Sequence, residues 1–129
     1  MSKHQTAIIS GKYKGKKIDL PSSETTRSSK GIIKESYFNT IQFDVIDWNM
    51  VEMFSGSGSV GIEALSRGAE HVYFMEKDTA AFKILSNNIR SLGADNATAM
   101  QGNSFKIMDQ VIKALSRTQK KAFFYVDPP

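Results

Sequence analysis

A glycine-rich stretch between an apolar run and a helical pattern constrains the fold of this chain more than any other feature. The apolar run over residues 50–54 stops abruptly, and Gly56, Gly58 and Gly61 then follow the spacing G-x-G-x-x-G. The pattern predicts a strand, a tight turn and a helix. In this arrangement the backbone of the turn can approach a ligand closely, and free N–H groups of the helix point toward it.

The rest of the chain alternates in the same way and predicts an α/β fold. Further strands are expected over 72–76, 97–101 and 122–126, and the continuous apolar character of the last is typical of parallel strands covered on both faces. Apolar residues at helical spacing indicate two helices between these strands: Phe82, Leu85, Ile89 and Leu92, ended by Gly93, and then Phe105, Met108, Ile112 and Leu115, capped by Ser104. We predict an open, Rossmann-like parallel sheet of four strands with ligands at its carboxyl edge.

The N-terminal part of the chain is basic. Residues 1–34 hold eight Lys or Arg against two acids, whereas the rest of the 129 residues holds nine against eleven. The pattern over 6–20 predicts a small basic β-hairpin, and a helix is expected over 29–42. Such a charge distribution favours a nucleic-acid partner, and a merely solubilising role is the alternative. The candidate contacts are Lys12, Lys14, Lys16 and Lys17 (the hairpin lysines), with Tyr13, Arg27 and Lys34.

We therefore divide the chain into a nucleic-acid-binding extension over 1–43 and a ligand-binding domain over 44–129. Tyr13 either stacks on a base or packs inside the protein. The chain has no cysteine and no apolar run near the ~18 residues of a membrane helix, so we expect a cytoplasmic protein without a membrane partner. His4 and His71 have no neighbouring ligands, and no metal site is assigned. A monomer is expected, although the sequence leaves the oligomeric state open.

Polar residues end all four predicted strands: Glu52, Glu76, Asn103 and Asp127. In a doubly wound sheet these ends meet at one crevice. Glu76 is suited to accept hydrogen bonds from a ribose diol, Asn103 to contact an adenine edge, and Glu52 to meet a ligand ammonium group. The alternative is that acidic residues merely terminate strands, but four in register favour a site.

The sequence Asp127-Pro128-Pro129 favours one kind of chemistry at this site. The nitrogen of an exocyclic amine must be turned toward a methyl donor, because its lone pair is delocalised into the base. A carboxylate and a backbone carbonyl that accept both N–H bonds can hold it there and stabilise the positive charge that develops. Two prolines would stiffen the loop that carries these acceptors.

The chain resembles the class I S-adenosylmethionine-dependent methyltransferases, and among them the RsmD-like enzymes, over nearly its whole length. The matching motifs are residues 9–17, Arg27 with Lys34-Glu35, Phe38-Asn39, residues 52–58, Gly61-Ile-Glu-Ala-Leu-Ser-Arg-Gly-Ala69 and residues 127–129. The resemblance implies methylation of a guanine N2 amine in small-subunit (16S) rRNA, with ribosomal RNA or an assembly intermediate as partner. This chain departs from the family at two places. The family usually has Asp where this chain has Glu52, and Arg-Pro-Thr where it has Arg27-Ser-Ser29.

The resemblance also implies a role for each candidate residue. Gly56–Gly58 would hold the methionine part of the cofactor and Glu76 its ribose, Asn103 and Ser104 would lie near the adenine, and Asp127, with Pro128 and Pro129, would orient the amine. The implied cofactor-binding set is Glu52, Phe54, Gly56, Ser57, Gly58, Glu76, Lys77, Asn103 and Ser104. The family continues beyond the position of Pro129, so the chain is expected to be a truncated form. Two alternatives stay open: a methyltransferase on DNA adenine or cytosine or on another RNA, and a non-catalytic nucleic-acid-binding module.

Overall fold

A computed structural model describes residues 5–21, 46–118 and 120–126. Arg27, Lys34, the helix predicted over 29–42 and Asp127-Pro128-Pro129 lie outside these residues. The elements in chain order are β1 (Gln5–Ala7), β2 (Lys17–Asp19), β3 (Asn49–Met53), α1 (Ser59–Ser66), β4 (His71–Glu76), α2 (Thr79–Leu92), β5 (Ala97–Gln101), α3 (Ser104–Ser116) and β6 (Ala122–Val126). Strands and helices alternate from β3 onward, as the sequence predicts.

The central sheet has four parallel strands in the order β5-β4-β3-β6. Alternate residues of β3 face opposite sides, so Met50 belongs to one core and Val51 to the other. Helices α1 and α2 cover the first side, and α3 covers the second. This is the predicted doubly wound arrangement, and it brings the carboxyl ends of all four strands to one edge.

The hairpin of β1 and β2 packs onto the side covered by α1 and α2. The strands are antiparallel, with Thr6 opposite Ile18. Ile8 and Ile18 are buried in the same cluster as Phe74 of the central sheet. The predicted basic hairpin is therefore present, and its apolar side shares the main core.

The structure corrects two details of α3. The predicted buried face contained Phe105 and Ile112, but these side chains are 77% and 51% exposed. The residues that contact the sheet are instead Ile107, Met108, Val111 and Leu115. The predicted cap, Ser104, is the first helical residue, whereas Asn103 is the N-cap and accepts a hydrogen bond from the Phe105 N–H.

Helix α2 agrees with the prediction. Asp78 caps its first turn by accepting from the Ala81 N–H, and Gly93 ends it in the left-handed conformation. Leu85 and Leu92 are buried, and Phe82 and Ile89 pack against them. In the described part of the chain, no helix is long and apolar enough to cross a membrane.

Candidate functional site

The loop between β3 and α1 turns sharply at the carboxyl edge of the sheet. Phe54, Gly56 and Gly58 all have positive φ angles, of 57°, 58° and 84°. Ser55 fixes the loop to the sheet, because its N–H donates to the Met75 carbonyl at 2.9 Å and its hydroxyl donates to the Glu52 carbonyl at 2.9 Å. The Gly58 N–H closes the turn onto the Ser55 carbonyl at 2.9 Å.

Gly61, the third glycine of the motif, serves packing. A Cβ at this position would lie 2.3 Å from Cε2 of Phe74 and 2.9 Å from Oε1 of Glu52. The first turn of α1 can therefore approach β3 and β4 only without a side chain there. This is the role of the last glycine in a nucleotide-binding turn, where it allows the helix to pack closely on the strand.

Glu52 lies beneath the first turn of α1 and is only 3% exposed. Its Oε1 accepts a hydrogen bond from the Gly61 N–H at 3.1 Å. The N-cap of this helix, Gly58, provides no side-chain hydrogen bond. A carboxylate is favourable at a helix N-terminus, where the peptide dipoles leave partial positive charge. The structure therefore places a buried carboxylate against the first turn of α1, next to the glycine loop.

Glu76 ends β4 with both carboxylate oxygens already oriented by the backbone. Oε1 accepts from the Gly56 N–H at 2.7 Å, and Oε2 accepts from the Asp78 N–H at 2.8 Å. The side chain is partly exposed. Each carboxylate oxygen can accept a further hydrogen bond, so the group can still receive two hydroxyl donors from a ligand.

The end of β5 is tied to the same edge. The Gly102 N–H donates to the Glu76 carbonyl at 3.0 Å, and the exposed Asn103 follows it. Lys77 is also exposed at this edge. The structure thus brings the glycine loop, Glu52, Glu76 and the residues up to Asn103 together. Strand β6 ends at Val126, opposite Met53, one residue before Asp127.

The hairpin lysines are all exposed. Tyr13 between them is 8% exposed, and it lies in the core with Ile8 and Ile18. The ammonium groups of Lys12 and Lys16 lie 5.2 Å and 5.8 Å from the centre of its ring. Of the two roles considered for Tyr13, the structure supports packing over a contact with a base, because the ring leaves almost no surface for a base.

A set of buried polar contacts that sequence reasoning missed holds this hairpin on α1. The fully buried carboxylate of Glu63 accepts hydrogen bonds from the Ile9 and Ser10 N–H groups, both at 3.0 Å, and from Nε of Arg67 at 2.9 Å. Ser66 accepts from the Tyr13 N–H through its hydroxyl and from the Lys12 N–H through its carbonyl. The available signal was Glu63, the only charged residue of α1.

Gly11 is required for this close contact between the hairpin and α1. Its φ is 92°, and a Cβ there would lie 2.0 Å from the Ser66 carbonyl oxygen. The motif Gly61–Ala69 therefore has two functions in the fold. Its first residue packs under the glycine loop, and its later polar residues receive the hairpin backbone.

The parallel sheet, the glycine loop after β3 and the acid at the end of β4 are features of a Rossmann-like fold such as that of the class I methyltransferases. A solved structure supports this fold. The structure of yhhF from Escherichia coli, described as a candidate methyltransferase, matches this chain with a TM-score of 0.71 and 34% sequence identity, over 81% of this chain and 56% of that one. The Rossmann-like fold predicted from the sequence is confirmed.

The chain belongs to the family described as Conserved hypothetical protein 95, whose model matches residues 6–129. It is 31% identical to ribosomal RNA small subunit methyltransferase D of Escherichia coli K12, over 97% of this chain and 60% of that protein. The protein of the same name from Haemophilus influenzae is 30% identical, over 99% of this chain and 65% of its own length. The predicted resemblance to RsmD-like proteins is confirmed, and the chain spans about 60% of the length of these curated relatives.

Proposed function

We propose that this chain binds S-adenosylmethionine at the glycine loop and belongs to an enzyme that methylates the N2 amine of a guanine in small-subunit rRNA. The observation that carries the proposal is the buried carboxylate of Glu52 on the Gly61 N–H. A dinucleotide places its pyrophosphate at this helix N-terminus, where it would meet the negative charge of Glu52. A cofactor with a cationic methionine part has the opposite preference, since its ammonium and sulfonium groups are attracted to that charge.

The remaining residues at the edge fit the other parts of this cofactor. Glu76 is held by the Gly56 and Asp78 N–H groups in an orientation that leaves acceptor capacity for a ribose diol. The Asn103 side chain uses its oxygen to cap α3, so its N–H₂ group is the part that can donate to an adenine ring nitrogen. The bound cofactor would supply the methyl group and a thioether leaving group.

The proposed substrate rests on the resemblance and on charge. The relatives from Escherichia coli and Haemophilus influenzae are named as small-subunit rRNA methyltransferases. The exposed hairpin lysines are suited to contact RNA phosphates, which position a partner without selecting its sequence. Asp127 is proposed to accept a hydrogen bond from the guanine amine and to stabilise the positive charge that develops as nitrogen bonds to the methyl carbon and the sulfur–carbon bond breaks.

Calorimetry tests the proposed cofactor. We expect S-adenosylmethionine to bind and NAD not to bind. Glu76→Gln should weaken cofactor binding by about thirty-fold, or about 2 kcal/mol, because charge-assisted hydrogen bonds to the diol are lost. The matched control is Glu70→Gln. Glu70 lies just before the first residue of β4, at the end away from Glu76, and this variant should bind the cofactor like the wild type. NAD binding without S-adenosylmethionine binding would refute the assignment.

Transfer of a labelled methyl group separates the proposed substrate from its alternatives. The wild type should label the guanine N2 position of small-subunit rRNA, free or in partly assembled particles, and not DNA. Asp127→Asn should lower the single-turnover rate by about 10²–10³-fold with little change in cofactor affinity, because the loss is felt mainly in the transition state. Labelling of DNA alone would contradict the proposed rRNA substrate and indicate a DNA methyltransferase.

A further inference from the structure

Asn88 on α2 joins the basic hairpin to the glycine loop through one buried side chain. It is 3% exposed. Its Nδ2 donates to the Asp19 carbonyl and to the Ser57 carbonyl, both at 2.9 Å, and its Oδ1 accepts from the Asp19 N–H at 2.9 Å. The side-chain amide therefore pairs with the Asp19 backbone on one side and holds the loop on the other.

On the loop side, the contact fixes a peptide unit at both of its polar atoms. The Ser57 carbonyl and the Gly58 N–H belong to the same planar peptide group. Asn88 binds its oxygen, and the Ser55 carbonyl accepts a hydrogen bond from its N–H at 2.9 Å. This peptide leads directly into α1 at the left-handed Gly58. A shift of Asn88 would therefore tilt the part of the loop that the proposed function assigns to the cofactor.

On the hairpin side, the contact lies at the end of β2. Asp19 is the last residue of that strand, and Lys17, one of the hairpin lysines, is the first. Strand β2 pairs with β1 and packs Ile18 into the core, so a restraint on the lysines is transmitted along a short, paired strand. A polyanion bound at Lys17 would restrain β2 further, and with it the Asp19 backbone atoms that Asn88 holds.

We propose that Asn88 is a positioning residue that couples the hairpin to the glycine loop, so that RNA bound at the hairpin lysines raises cofactor affinity. The inference rests on the proposed function for the identity of the two ligands. The physical reason is entropic: a loop already ordered through the hairpin loses less conformational freedom when the cofactor binds. Because binding free energies are linked, the cofactor raises RNA affinity by the same factor.

The test measures cofactor affinity with and without a saturating transcript of small-subunit rRNA. In the wild type we expect the transcript to lower the Kd of S-adenosylmethionine by about fivefold or more. In Asn88→Asp, which places a carboxylate against two carbonyl oxygens, and in Asn88→Ala, the ratio of the two Kd values should approach one. Asn87→Asp is the matched control, because this neighbouring asparagine on the same helix is exposed and should keep the wild-type ratio.

The outcomes separate this inference from the proposed function. A folded Asn88 variant that binds more weakly but keeps the wild-type ratio would make Asn88 merely structural and overturn the inference. A wild type that binds both ligands with a ratio of one would also overturn it and leave the proposed function standing. A wild type that binds no S-adenosylmethionine would overturn both.

A measurement on the wild type alone covers the case in which both variants unfold. The Gly58 N–H belongs to the peptide that Asn88 holds, not to the hairpin, and its hydrogen exchange reports the order of the Ser57–Gly58 peptide. We expect the rRNA transcript to slow this exchange in the absence of cofactor. Unchanged Gly58 exchange with the transcript bound would overturn the inference.

Discussion

Replacing Glu63 by Gln is the sharpest test of how the hairpin is attached. The carboxylate is fully buried and, among the described residues, accepts from the Ile9 N–H, the Ser10 N–H and the Arg67 guanidinium. Gln has the same shape, but only one of its two terminal atoms accepts hydrogen bonds. One backbone N–H must therefore face an N–H₂ group, and Arg67, whose side chain is 8% exposed, loses the charge beside it.

The expected loss of stability follows from these contacts. A buried donor left without an acceptor costs about 1–3 kcal/mol, and breaking a buried ion pair by removing one partner costs about 3–5 kcal/mol. Because the Gln oxygen retains part of both interactions, we expect about 3 kcal/mol in total. For 129 residues the unfolding entropy is about 0.27 kcal/mol per kelvin, so the Tm should fall by about 11 °C.

Urea and thermal unfolding measure this loss, and hydrogen exchange locates it. The amides of Ile9 and Ser10 should lose protection, because their acceptors are the atoms that change. The matched control is again Glu70→Gln. Glu70 is paired with Lys120 at 3.0 Å, but both side chains are nearly half exposed, and exposed ion pairs contribute little to stability. A Glu63→Gln protein as stable as this control would refute the view that Glu63 holds the hairpin.

Two further predictions concern the hairpin lysines and His71. Replacing all four hairpin lysines by Ala should weaken RNA binding strongly at low salt and flatten its salt dependence, because fewer phosphate counterions are released; an unchanged slope would contradict this. The matched control replaces four exposed lysines outside the hairpin: Lys83, Lys106, Lys113 and Lys121. Burial lowers the pKa of His71, and the nearby charge of Glu70 opposes part of this shift. The unfolded chain therefore binds more protons than the folded one, and the stability should fall as the pH drops through about 6.5. Urea unfolding between about pH 8 and 6 should show a smaller fall in His71→Gln, and an equal fall would contradict the prediction.

The central fold could be predicted because its signals are local. The turn after β3 needs positive φ angles, which Gly56 and Gly58 provide, and a close approach of α1 to the sheet, which Gly61 allows. Glu76 could be identified for a similar reason, since it ends an apolar strand of known direction. The class of fold and the polar residues at its edge thus follow from short stretches of sequence.

The face of α3 could not be chosen in the same way. Met108 and Leu115 belong to both the predicted and the observed stripe. The prediction added Phe105 and Ile112, whereas the structure packs Ile107 and Val111 beside them. Both sets satisfy helical spacing. The choice depends on how the helix lies on β3 and β4, which local spacing does not determine.

The attachment of the hairpin was missed because its partners are far apart in sequence. The Glu63 contacts span 53 and 54 residues, and the contacts of Asn88 with Asp19 span 69. Glu63 is the only charged residue of α1, but neither Glu63 nor Asn88 has a local pattern that identifies so distant a partner. For the same reason Tyr13 could not be assigned, since its burial depends on Ser66 and on the core beneath the hairpin.

Helix α1 connects the glycine loop to the basic hairpin within one short motif. The helix has eight residues and is about 12 Å long, and its two ends make different contacts. Gly61 near its start is packed against Phe74, whereas Glu63 and Ser66 receive the hairpin. One inserted residue between them would rotate Glu63 by about 100° and remove it from the Ile9 and Ser10 amides. The spacing within this motif is therefore fixed from both ends, because the same helix sets the distance between the glycine loop and the basic hairpin.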